Sequence, residues 1–216
     1  AHKKLKGPNN LESIAVADCW KTRAEEGAAR IEAPHAFTDY RQVIERDDID
    51  YVTIATPEHW HAPMIIEALD AGKAVYTEKP MTHTLPEGLA VMKKQKETGL
   101  PLQVGVQAMS DDSFSSAGKA IEEGVIGQVV QAQIEYVRRY DTQGPWRSRP
   151  PLTGNEPKPA DLDWTAWLGH APKVPWNPHH YHEWRCYAAY SGGIATDLFI
   201  HRITRILKAC NLLFPR

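Results

Sequence analysis

Short runs of apolar residues alternate with stretches of helical spacing through the first half of the chain. The runs are rich in β-branched residues and lack the strict alternation of a half-exposed strand, which is typical of strands buried on both faces. Pro57 halts one of them. This pattern predicts four strands, over residues 11–18, 50–57, 74–79 and 100–108.

The stretches between these strands have apolar residues three and four positions apart, which predicts amphipathic helices. One helix is predicted over residues 38–48, with Thr38 as its N-cap. A second is predicted over residues 61–72, where Gly72 suits the position just after the last turn.

The helix predicted over residues 82–99 carries signals at both of its ends. Thr84 and Glu87 have the spacing of a capping box, and Gly99 ends the helix. Its predicted buried face consists of Leu85, Leu89 and Met92.

Strands that alternate with helices in this way form a parallel sheet covered on both faces. Ligands of such sheets bind beyond the carboxyl ends of the strands. The predicted strand ends carry polar or turn residues, which are Asp18, Thr56, Pro57, Glu78, Lys79 and Gln107. All of these residues are expected to lie along one edge.

The character of the chain changes after residue 110. A helix is predicted over residues 112–127, followed by a strand over 128–140 in which alternate residues are apolar. The stretch 145–160 is rich in proline and polar residues, which predicts an irregular loop. We therefore place a domain boundary near residue 110.

An acidic residue that ends an early strand of a βαβ unit is typical of dinucleotide binding, and Asp18 holds such a place. The glycine fingerprint would lie about 20 residues earlier. That position precedes residue 1, and no GxGxxG sequence occurs in the chain. Asp18 is therefore either a helix cap or solvated strand end, or the ribose-binding acid of a chain that begins after its phosphate loop. We favour the second interpretation, a fragment cut at both ends.

Composition narrows the classes of partner. The chain has 216 residues, 42% of them hydrophobic, and a formal net charge of -2. That balance gives no electrostatic footprint for nucleic acid or for an anionic membrane surface. No apolar run reaches the roughly 18 residues of a membrane span. The three cysteines are widely spaced, as expected of small core residues.

Lys79 follows directly on a predicted buried strand, between Glu78 and Pro80. The simplest interpretation is a lysine that reaches water or pairs with Glu78. The alternative is a catalytic amine, because a lysine partly buried beside a cationic nicotinamide can take a hydroxyl proton while a hydride leaves the same carbon. Pro80 biases Lys79 toward extended backbone, and a cis bond between the two is left open.

Asp197 and His201 lie four residues apart in a segment predicted to be helical from about Ile194. Residues at this spacing share a face and can hydrogen-bond, so Asp197 would orient His201, or either group would hold a substrate hydroxyl. A capped, solvated helix face is the alternative. Gly192 and Gly193, ahead of the helix, permit a close backbone approach.

Two histidine-rich stretches have competing interpretations. His59 and His61 flank Trp60 at a strand-to-helix turn whose backbone N–H groups would face a cofactor phosphate or ribose. The alternatives for the two histidines are cap or surface residues, and a metal-binding pair is less favoured. Residues 176–187 contain three histidines, but their spacing fits no zinc pattern. Aromatic packing and polar contacts to a sugar are favoured there, with Arg185 as a donor. No metal site is predicted.

Several motifs follow one another in a recognisable order: AVAD, ATPEHWHAPMIIEALDAGKAVYTEKP, QVGVQ, AIEEGVIGQV, DWTAWLGHAP and SGGIATDLFIH. With them the chain resembles the glucose–fructose oxidoreductase and inositol dehydrogenase family, Gfo/Idh/MocA, from about residue 11 to 205. The resemblance implies an α/β fold with two partial domains. These are an N-terminally truncated Rossmann domain over 1–110 and a C-terminally truncated α/β domain over 111–216, with an open, largely antiparallel sheet.

The resemblance also assigns roles to individual residues. The catalytic residues would be Lys79, Asp197 and His201. The cofactor-binding residues would be Asp18, Thr56, Pro57, His61, Glu78, Lys79 and Gln107. The substrate-binding residues would be Trp167, Arg185 and His201.

The implied function is hydride transfer between a nicotinamide and a hydroxyl carbon of a sugar, polyol or related compound. NAD is the expected cofactor and NADP is less favoured, because an acid at position 18 repels a 2′-phosphate. A homo-oligomer is expected for the full-length protein. The alternatives are a redox-assisted glycoside lyase or hydrolase with bound NAD, and a non-catalytic sugar-binding or regulatory homologue. The form EHWHAPMI resembles members exported with a twin-arginine signal, so the compartment, cytoplasmic or periplasmic, is left open.

Overall fold

The computed structural model describes residues 11–107, 109–135 and 151–212. Within these ranges the strands are β1 (Ala15–Ala17), β2 (His35–Phe37), β3 (Tyr51–Ile54), β4 (Ala74–Glu78) and β5 (Leu102–Gly105). The helices are α1 (Lys21–Ile31), α2 (Arg41–Ile44), α3 (His61–Asp70), α4 (Leu85–Thr98), α5 (Asp112–Glu122), α6 (Trp164–Leu168), α7 (Pro178–His182), α8 (Ile194–Asp197) and α9 (Ile200–Ala209). Two 3₁₀ turns cover Glu58–Trp60 and Trp184–Cys186.

The strands form two parallel sheets, which confirms the predicted α/β class with parallel pairing. β1 pairs with β2, and the second sheet has the order β3-β4-β5. Each of the four predicted strands is present inside its predicted range. Because all pairs are parallel, the carboxyl ends of β3, β4 and β5 meet at one edge.

Both sheets end on an edge that no described strand pairs with, and the two edges face each other. β1 pairs only with β2, and β3 pairs only with β4, among the described residues. The residues of β1 and β3 line a single cleft of about 1690 Å³. Within the described residues, strands of both sheets therefore border the cleft.

Helix α1 and strand β2 carry too weak an apolar pattern for the sequence to predict them. In α1 only Ala24 and Ala28 are buried, so the helix has no large apolar stripe. β2 is three residues long. The helix expected over 38–48 is also shorter than predicted.

The predicted N-cap of that helix is wrong. α2 begins at Arg41, and the N–H of Arg41 donates to Oδ1 of Asp39 at 2.9 Å. The aspartate side chain therefore serves the start of this helix, and Thr38 lies outside it. Asp is as good an acceptor for such N–H groups as Thr, so composition alone does not choose between them.

The core of the first half lies between the β3-β4-β5 sheet and helices α3 and α4. Ile65, Ala68 and Leu69 on α3 are 0–1% exposed, and Val91 on α4 is 0% exposed. Val75 in β4 packs against them at 3% exposure. The capping box of Thr84 and Glu87 is present, and Gly99 adopts φ +66° after the last turn, as predicted.

The predicted buried face of α4 is wrong. Leu85, Leu89 and Met92 are 77%, 59% and 46% exposed, whereas Gly88 and Val91 are buried. A Cβ on Gly88 would lie 3.3 Å from Oγ1 of Thr82. The helix therefore turns its smaller residues inward, where the backbone approaches closely.

The second half departs further from its predicted pattern. α5 follows Asp111, whose side chain accepts from the N–H of Ser113 at 2.8 Å. The strand predicted over 128–140 is wrong for residues 128–135, which are irregular. A strand needs a neighbour for its backbone groups, and none of the described residues lies alongside. Residues 136–140 of that prediction lie outside the described residues, as do 145–150 of the predicted loop.

The open, largely antiparallel sheet is consequently absent from the described part of the second half. What is present there is a set of short helices around an aromatic cluster. The buried members of the cluster include Trp164, Trp167, Tyr181 and Tyr190.

The second half is joined to the first at the start of α1. Trp20 and Leu162 form an isolated antiparallel bridge. Oδ2 of Asp161 accepts from the N–H of Thr22 at 2.8 Å and from its hydroxyl at 2.6 Å. A side chain from the second half therefore satisfies N–H groups that the helix itself leaves free. In the described ranges no helix combines the length and apolarity that crossing a membrane requires.

Candidate active site

The carboxyl edge of the parallel strands opens into the cleft described above. Strand register places Ile54 beside Thr77 and Glu78 beside Gly105, so the residues that follow β3 and β4 emerge together. Of the predicted cofactor-binding residues, all but one line this cleft: Asp18, Thr56, Pro57, His61, Glu78 and Lys79. Gln107 follows β5, is exposed and does not line the cleft.

Lys79 is held by a residue 118 positions later in the chain. Its Nζ donates to Oδ1 of Asp197 at 2.6 Å and to the backbone oxygen of Asp197 at 2.9 Å. The two side chains are only 13% and 3% exposed. The peptide bond between Lys79 and Pro80 is cis. The amine therefore turns toward the second half of the protein, and does not extend into water.

The carboxylate of Asp197 lies between two cations. Oδ1 contacts Lys79, and Oδ2 lies 3.3 Å from Nε of Arg185. The Arg185 guanidinium also lies over the ring of Trp184, 4.1 Å from its centroid. A carboxylate bound on both oxygens has a fixed orientation, so it fixes the amine that it contacts.

His201 belongs to the same neighbourhood. It is 8% exposed, and its Nδ1 is buried without a hydrogen-bond partner among the described residues. Burial lowers the pKa of His201, and the positive charges of Lys79 and Arg205 lower it further, while Asp197 and Glu78 act in the opposite direction. The lowered pKa favours the neutral form of the imidazole, whose Nδ1 is buried and does not face the cleft lining.

The helix expected from Ile194 onward is interrupted. α8 ends at Asp197 and α9 begins at Ile200, so Asp197 and His201 lie on two short helices. Their side chains are buried, so they do not form a solvated face. With both of its oxygens in contact with cations, Asp197 orients Lys79 in this arrangement.

The turn Glu58–Trp60 connects the strand edge to the second half. Nε1 of Trp60 donates to the backbone oxygen of Trp167 at 2.8 Å, and Nε2 of His59 lies 3.1 Å from the same oxygen. Burial lowers the pKa of His59 to about 4. The N–H of His59 donates to the backbone oxygen of Tyr190. This turn is therefore fixed to the aromatic cluster by side chain and backbone together.

His61 spans the ends of two strands. Its Nδ1 lies 2.6 Å from the backbone oxygen of Pro80, and its Nε2 lies 2.9 Å from that of Thr56. The side chain is buried at 1% exposure. Neither ring nitrogen is free to bind a ligand in this arrangement, and the residue holds together the segments that follow β3 and β4.

Trp167 and Arg185, the predicted substrate residues, both line the cleft. Trp167 is 6% exposed and stacks on Trp164, with ring centroids 4.7 Å apart. Most of its surface is therefore used in packing, and its carbonyl anchors the turn at Glu58–Trp60. Arg185 is the more accessible of the two, with a side chain that is 39% exposed.

Asp18 lines the cleft from the end of β1, in the other of the two sheets. Its Oδ1 accepts from the N–H of Trp20 at 2.9 Å, and its own N–H donates to the backbone oxygen of Phe37 at 3.1 Å. Burial raises the pKa of Asp18. The carboxylate is thus placed at the end of β1, as the strand pattern predicted.

Sequence reasoning missed the residues that hold the site together across the chain. Glu58, Ser191 and Asp161 each make contacts between the two halves. The available signal for Glu58 was a carboxylate that directly follows a proline at a predicted ligand edge. Asp161 gave no signal, since an aspartate in a polar loop is ordinary.

The described residues contain no group of three or more histidine, cysteine or acidic side chains arranged to hold a metal ion. In the histidine-rich stretch, His179 lies 3.0 Å from a carboxylate oxygen of Glu183. Nδ1 of His180 lies 2.9 Å from the hydroxyl of Tyr190.

The parallel sheets and the cleft at their carboxyl edge define an α/β protein of the Rossmann type. A family model described as an oxidoreductase family, NAD-binding Rossmann fold, matches residues 1–106. A second, described as its C-terminal alpha/beta domain, matches residues 111–208. The two models together match nearly the whole chain, and the chain belongs to the Gfo/Idh/MocA oxidoreductase family.

Named relatives include several dehydrogenases. The scyllo-inositol 2-dehydrogenase (NAD(+)) of Bacillus subtilis is 38% identical over 54% of this chain and 34% of its own length. The levoglucosan dehydrogenase of Pseudarthrobacter phenanthrenivorans is 31% identical over 65% of this chain and 37% of its own. The chain thus spans little more than a third of either relative.

This chain is also similar to a solved structure of a reductase. A variant of KijD10, a 3-ketoreductase from Actinomadura kijaniata in complex with TDP-benzene and NADP, is 30% identical with a TM-score of 0.53. The match covers 60% of this chain and 39% of that one.

Proposed function

We propose that this chain is part of an NAD-dependent oxidoreductase that moves a hydride between a nicotinamide and a hydroxyl-bearing carbon of a sugar or polyol. The observation that carries the proposal is the contact between Lys79 and Asp197 at the carboxyl edge of a parallel sheet. A buried amine and a carboxylate are paired there, Lys79 lines the open cleft, and the buried imidazole of His201 is close enough to feel the charges of both.

The residues present fit a dinucleotide bound across the strand ends. Asp18 and the pair Thr56 and Pro57 line one cleft, which suits a ribose at the first and a nicotinamide near the second. A negative charge at position 18 favours NAD over NADP, because it repels a 2′-phosphate. No glycine-rich phosphate loop is present in the sequence.

The free edges of β1 and β3 suggest where such a loop would attach. A parallel strand between them would pair with both, close the space and join the two sheets into one. The turn after that strand would open at the same carboxyl edge, between Asp18 and Thr56.

The proposed reaction uses Lys79 as a hydrogen-bond donor and His201 as a proton acceptor. A bound nicotinamide supplies the hydride acceptor or donor. An ammonium has three N–H donors, and Lys79 uses two on Asp197, so one is available for a substrate oxygen. That donor binds the hydroxyl in one direction and polarises the carbonyl in the other. The neutral imidazole of His201 takes up the hydroxyl proton.

The substrate class follows from the same surroundings. Arg185 presents N–H donors at the cleft, and aromatic rings lie behind it, which suits a molecule with many hydroxyl groups. Dehydrogenases of inositol and levoglucosan are among the relatives. The domain boundary near residue 110, the antiparallel sheet and a homo-oligomer of the full-length protein stay predictions.

The test is turnover by the full-length protein with NAD and a panel of inositols and sugars, followed by NADH absorbance. We expect NADH to accumulate with at least one polyol. Cleavage of a glycoside without net NADH would favour the redox-assisted lyase or hydrolase instead. Absence of NAD binding would favour the non-catalytic homologue.

A further inference from the structure

Glu58 is a buried carboxylate whose polar partners come from the far end of the chain. It is 1% exposed in the turn between β3 and α3. Its Oε1 accepts from the hydroxyl of Ser191 at 2.7 Å, and its Oε2 accepts from the N–H of Gly192 at 2.9 Å. The hydroxyl of Thr196 lies 3.5 Å from the same Oε2. An ionised carboxylate only accepts hydrogen bonds, so it is the matching partner for these three donors.

The segment held by Glu58 is the one that starts α8. The N–H of Gly193 donates to Oγ of Ser191 at 3.0 Å, and Gly193 has φ +73°, which favours glycine. A Cβ on Gly192 would lie 2.4 Å from Oγ1 of Thr196. The turn is therefore tight, has no room for a side chain at Gly192, and is bound on one side by Glu58.

Asp197 lies one helical turn after Gly193. Its N–H donates to the backbone oxygen of Gly193 at 2.9 Å. α8 is only four residues long, and the other polar contacts of Asp197 are with the side chains of Lys79 and Arg185. The position of the Asp197 carboxylate therefore depends on where Glu58 holds residues 191–193.

We propose that Glu58 is a positioning residue for the hydride transfer, which acts by placing Asp197 against Lys79. The inference rests on the proposed function. Glu58 directly follows Pro57, at the end of the segment after β3. The turn that contains Glu58 therefore contacts residues 191–193, which lead into the helix of Asp197. A displacement of about 1 Å at a reacting group can cost about 10²-fold in rate.

The kinetic test uses the full-length protein with Glu58→Ala and Glu58→Gln. We expect Glu58→Ala to lower kcat about 10–100-fold with little change in the affinity for NAD. Glu58→Gln keeps the shape and one acceptor oxygen, and so recovers part of the loss. In an Asp197→Asn background, Glu58→Ala should lower kcat no further, because the carboxylate that it positions is gone.

A control separates positioning from loss of stability. Ile65→Ala removes fully buried side-chain atoms from the apolar core of the first half and changes none of the residues to which a catalytic or binding role is given. We expect it to lower the denaturation midpoint and to leave kcat unchanged. A fall in kcat with Ile65→Ala of the size found with Glu58→Ala would make stability the cause and overturn the proposal.

A second measurement does not depend on activity. Lys79 is protected by its contact with Asp197, so its rate of acylation by an amine-reactive reagent, followed by peptide mass spectrometry, reports on that contact. We expect Glu58→Ala, or Glu58→Gln if the alanine variant does not fold, to accelerate labelling of Lys79 several-fold and to leave Lys73 unchanged. Unchanged labelling would overturn the role of Glu58. Faster labelling in a protein that reduces no NAD would support that role and reject the oxidoreductase.

Discussion

The two ends of the cleft differ in how completely this chain builds them. At the Lys79 end, two buried contacts join residues more than 100 positions apart, Lys79 with Asp197 and Glu58 with Ser191. At the Asp18 end, β1 pairs with β2 alone among the described strands, and the Asp18 carboxylate accepts a hydrogen bond from the N–H of Trp20 in the turn that follows.

The second half of the protein contacts both ends, but at the Lys79 end, the closed end, it contacts the candidate catalytic amine itself. At the Asp18 end, the open end, it contacts Trp20 and Thr22 and makes no hydrogen bond to the Asp18 carboxylate among the described residues.

This difference indicates which step of the proposed function each end of the cleft should affect. The groups that would handle protons are fixed by contacts within the described residues. The groups that would hold the dinucleotide are placed at a strand end beside an unfilled space. We therefore expect substitutions at the closed end to change turnover, and substitutions at the open end to change cofactor binding.

The largest effect is expected at Lys79. In the full-length protein, Lys79→Met should lower turnover roughly 10²–10⁴-fold while NAD binding is retained, because the amine donates the hydrogen bond that holds the substrate hydroxyl and polarises the carbonyl. Steady-state kinetics together with a fluorescence titration of NAD would measure both quantities.

Lys73 provides the matched control at the other end of the same strand. Its amine is buried and donates to the backbone oxygen of Arg46 at 2.6 Å. Lys73→Met should lower stability and leave turnover unchanged. Equal turnover losses in the two variants would remove the special role of Lys79.

The next effect concerns acid stability of the closed end. The pKa of His59 is about 4 in the folded protein, against about 6.5 when unfolded. Between these values the folded state binds fewer protons, so stability from the neutral imidazole is complete above pH 6.5 and is lost as the pH falls toward 4. The full difference is about 3 kcal/mol in the free energy of unfolding.

Urea denaturation at pH 7 and pH 4.5 would measure this contribution. His59→Gln keeps a side-chain N–H near the carbonyl of Trp167 and does not titrate. The loss on acidification should be about 2–3 kcal/mol smaller in the variant than in the wild type. An equal loss in both proteins would show that His59 is not the group that titrates.

A smaller effect is expected at the open end. Asp18→Asn keeps the shape of the side chain and removes its charge, so the preference for NAD over NADP should narrow by roughly tenfold or more. The two dissociation constants measure it. Asp70→Asn, an exposed site paired with Lys94, serves as the control and should leave both constants unchanged.

The smallest expected effect is on stability, at a site that lies at neither end of the cleft. Thr84→Ala breaks the capping box of α4 and should cost about 1 kcal/mol in stability without changing kinetics. Thr98, at the other end of the helix, donates its hydroxyl back to Lys94. Thr98→Ala should change stability by less than about 0.5 kcal/mol. A change in kcat or KM in either variant would contradict the expectation that kinetics depend on the residues at the two ends of the cleft.

Local patterns in the sequence were enough to predict most of the first half. Apolar runs placed four strands, and the spacing of Thr84 and Glu87 placed a helix start, because these signals depend on neighbours along the chain. The position of Lys79 at a ligand edge followed from the strand before it. The buried face of α4 did not follow, since close packing at Gly88 outweighed the larger apolar side chains.

The contacts that build the site were beyond a local pattern. Glu58 meets Ser191 across 133 positions, and Lys79 meets Asp197 across 118. No periodicity links residues so far apart. The same limit explains the second half, where a strand predicted from alternation at 128–135 has no described neighbour to pair with.

The central claim is that Lys79 and Asp197 act as one catalytic unit across the two halves. The most direct test is kcat/KM of the full-length Lys79→Met, Asp197→Asn double variant beside the two single variants. If the groups act together, the double variant loses no more than the worse single variant, because either change already breaks the unit. Losses that multiply independently would show that the amine and the carboxylate act separately, and would contradict the account.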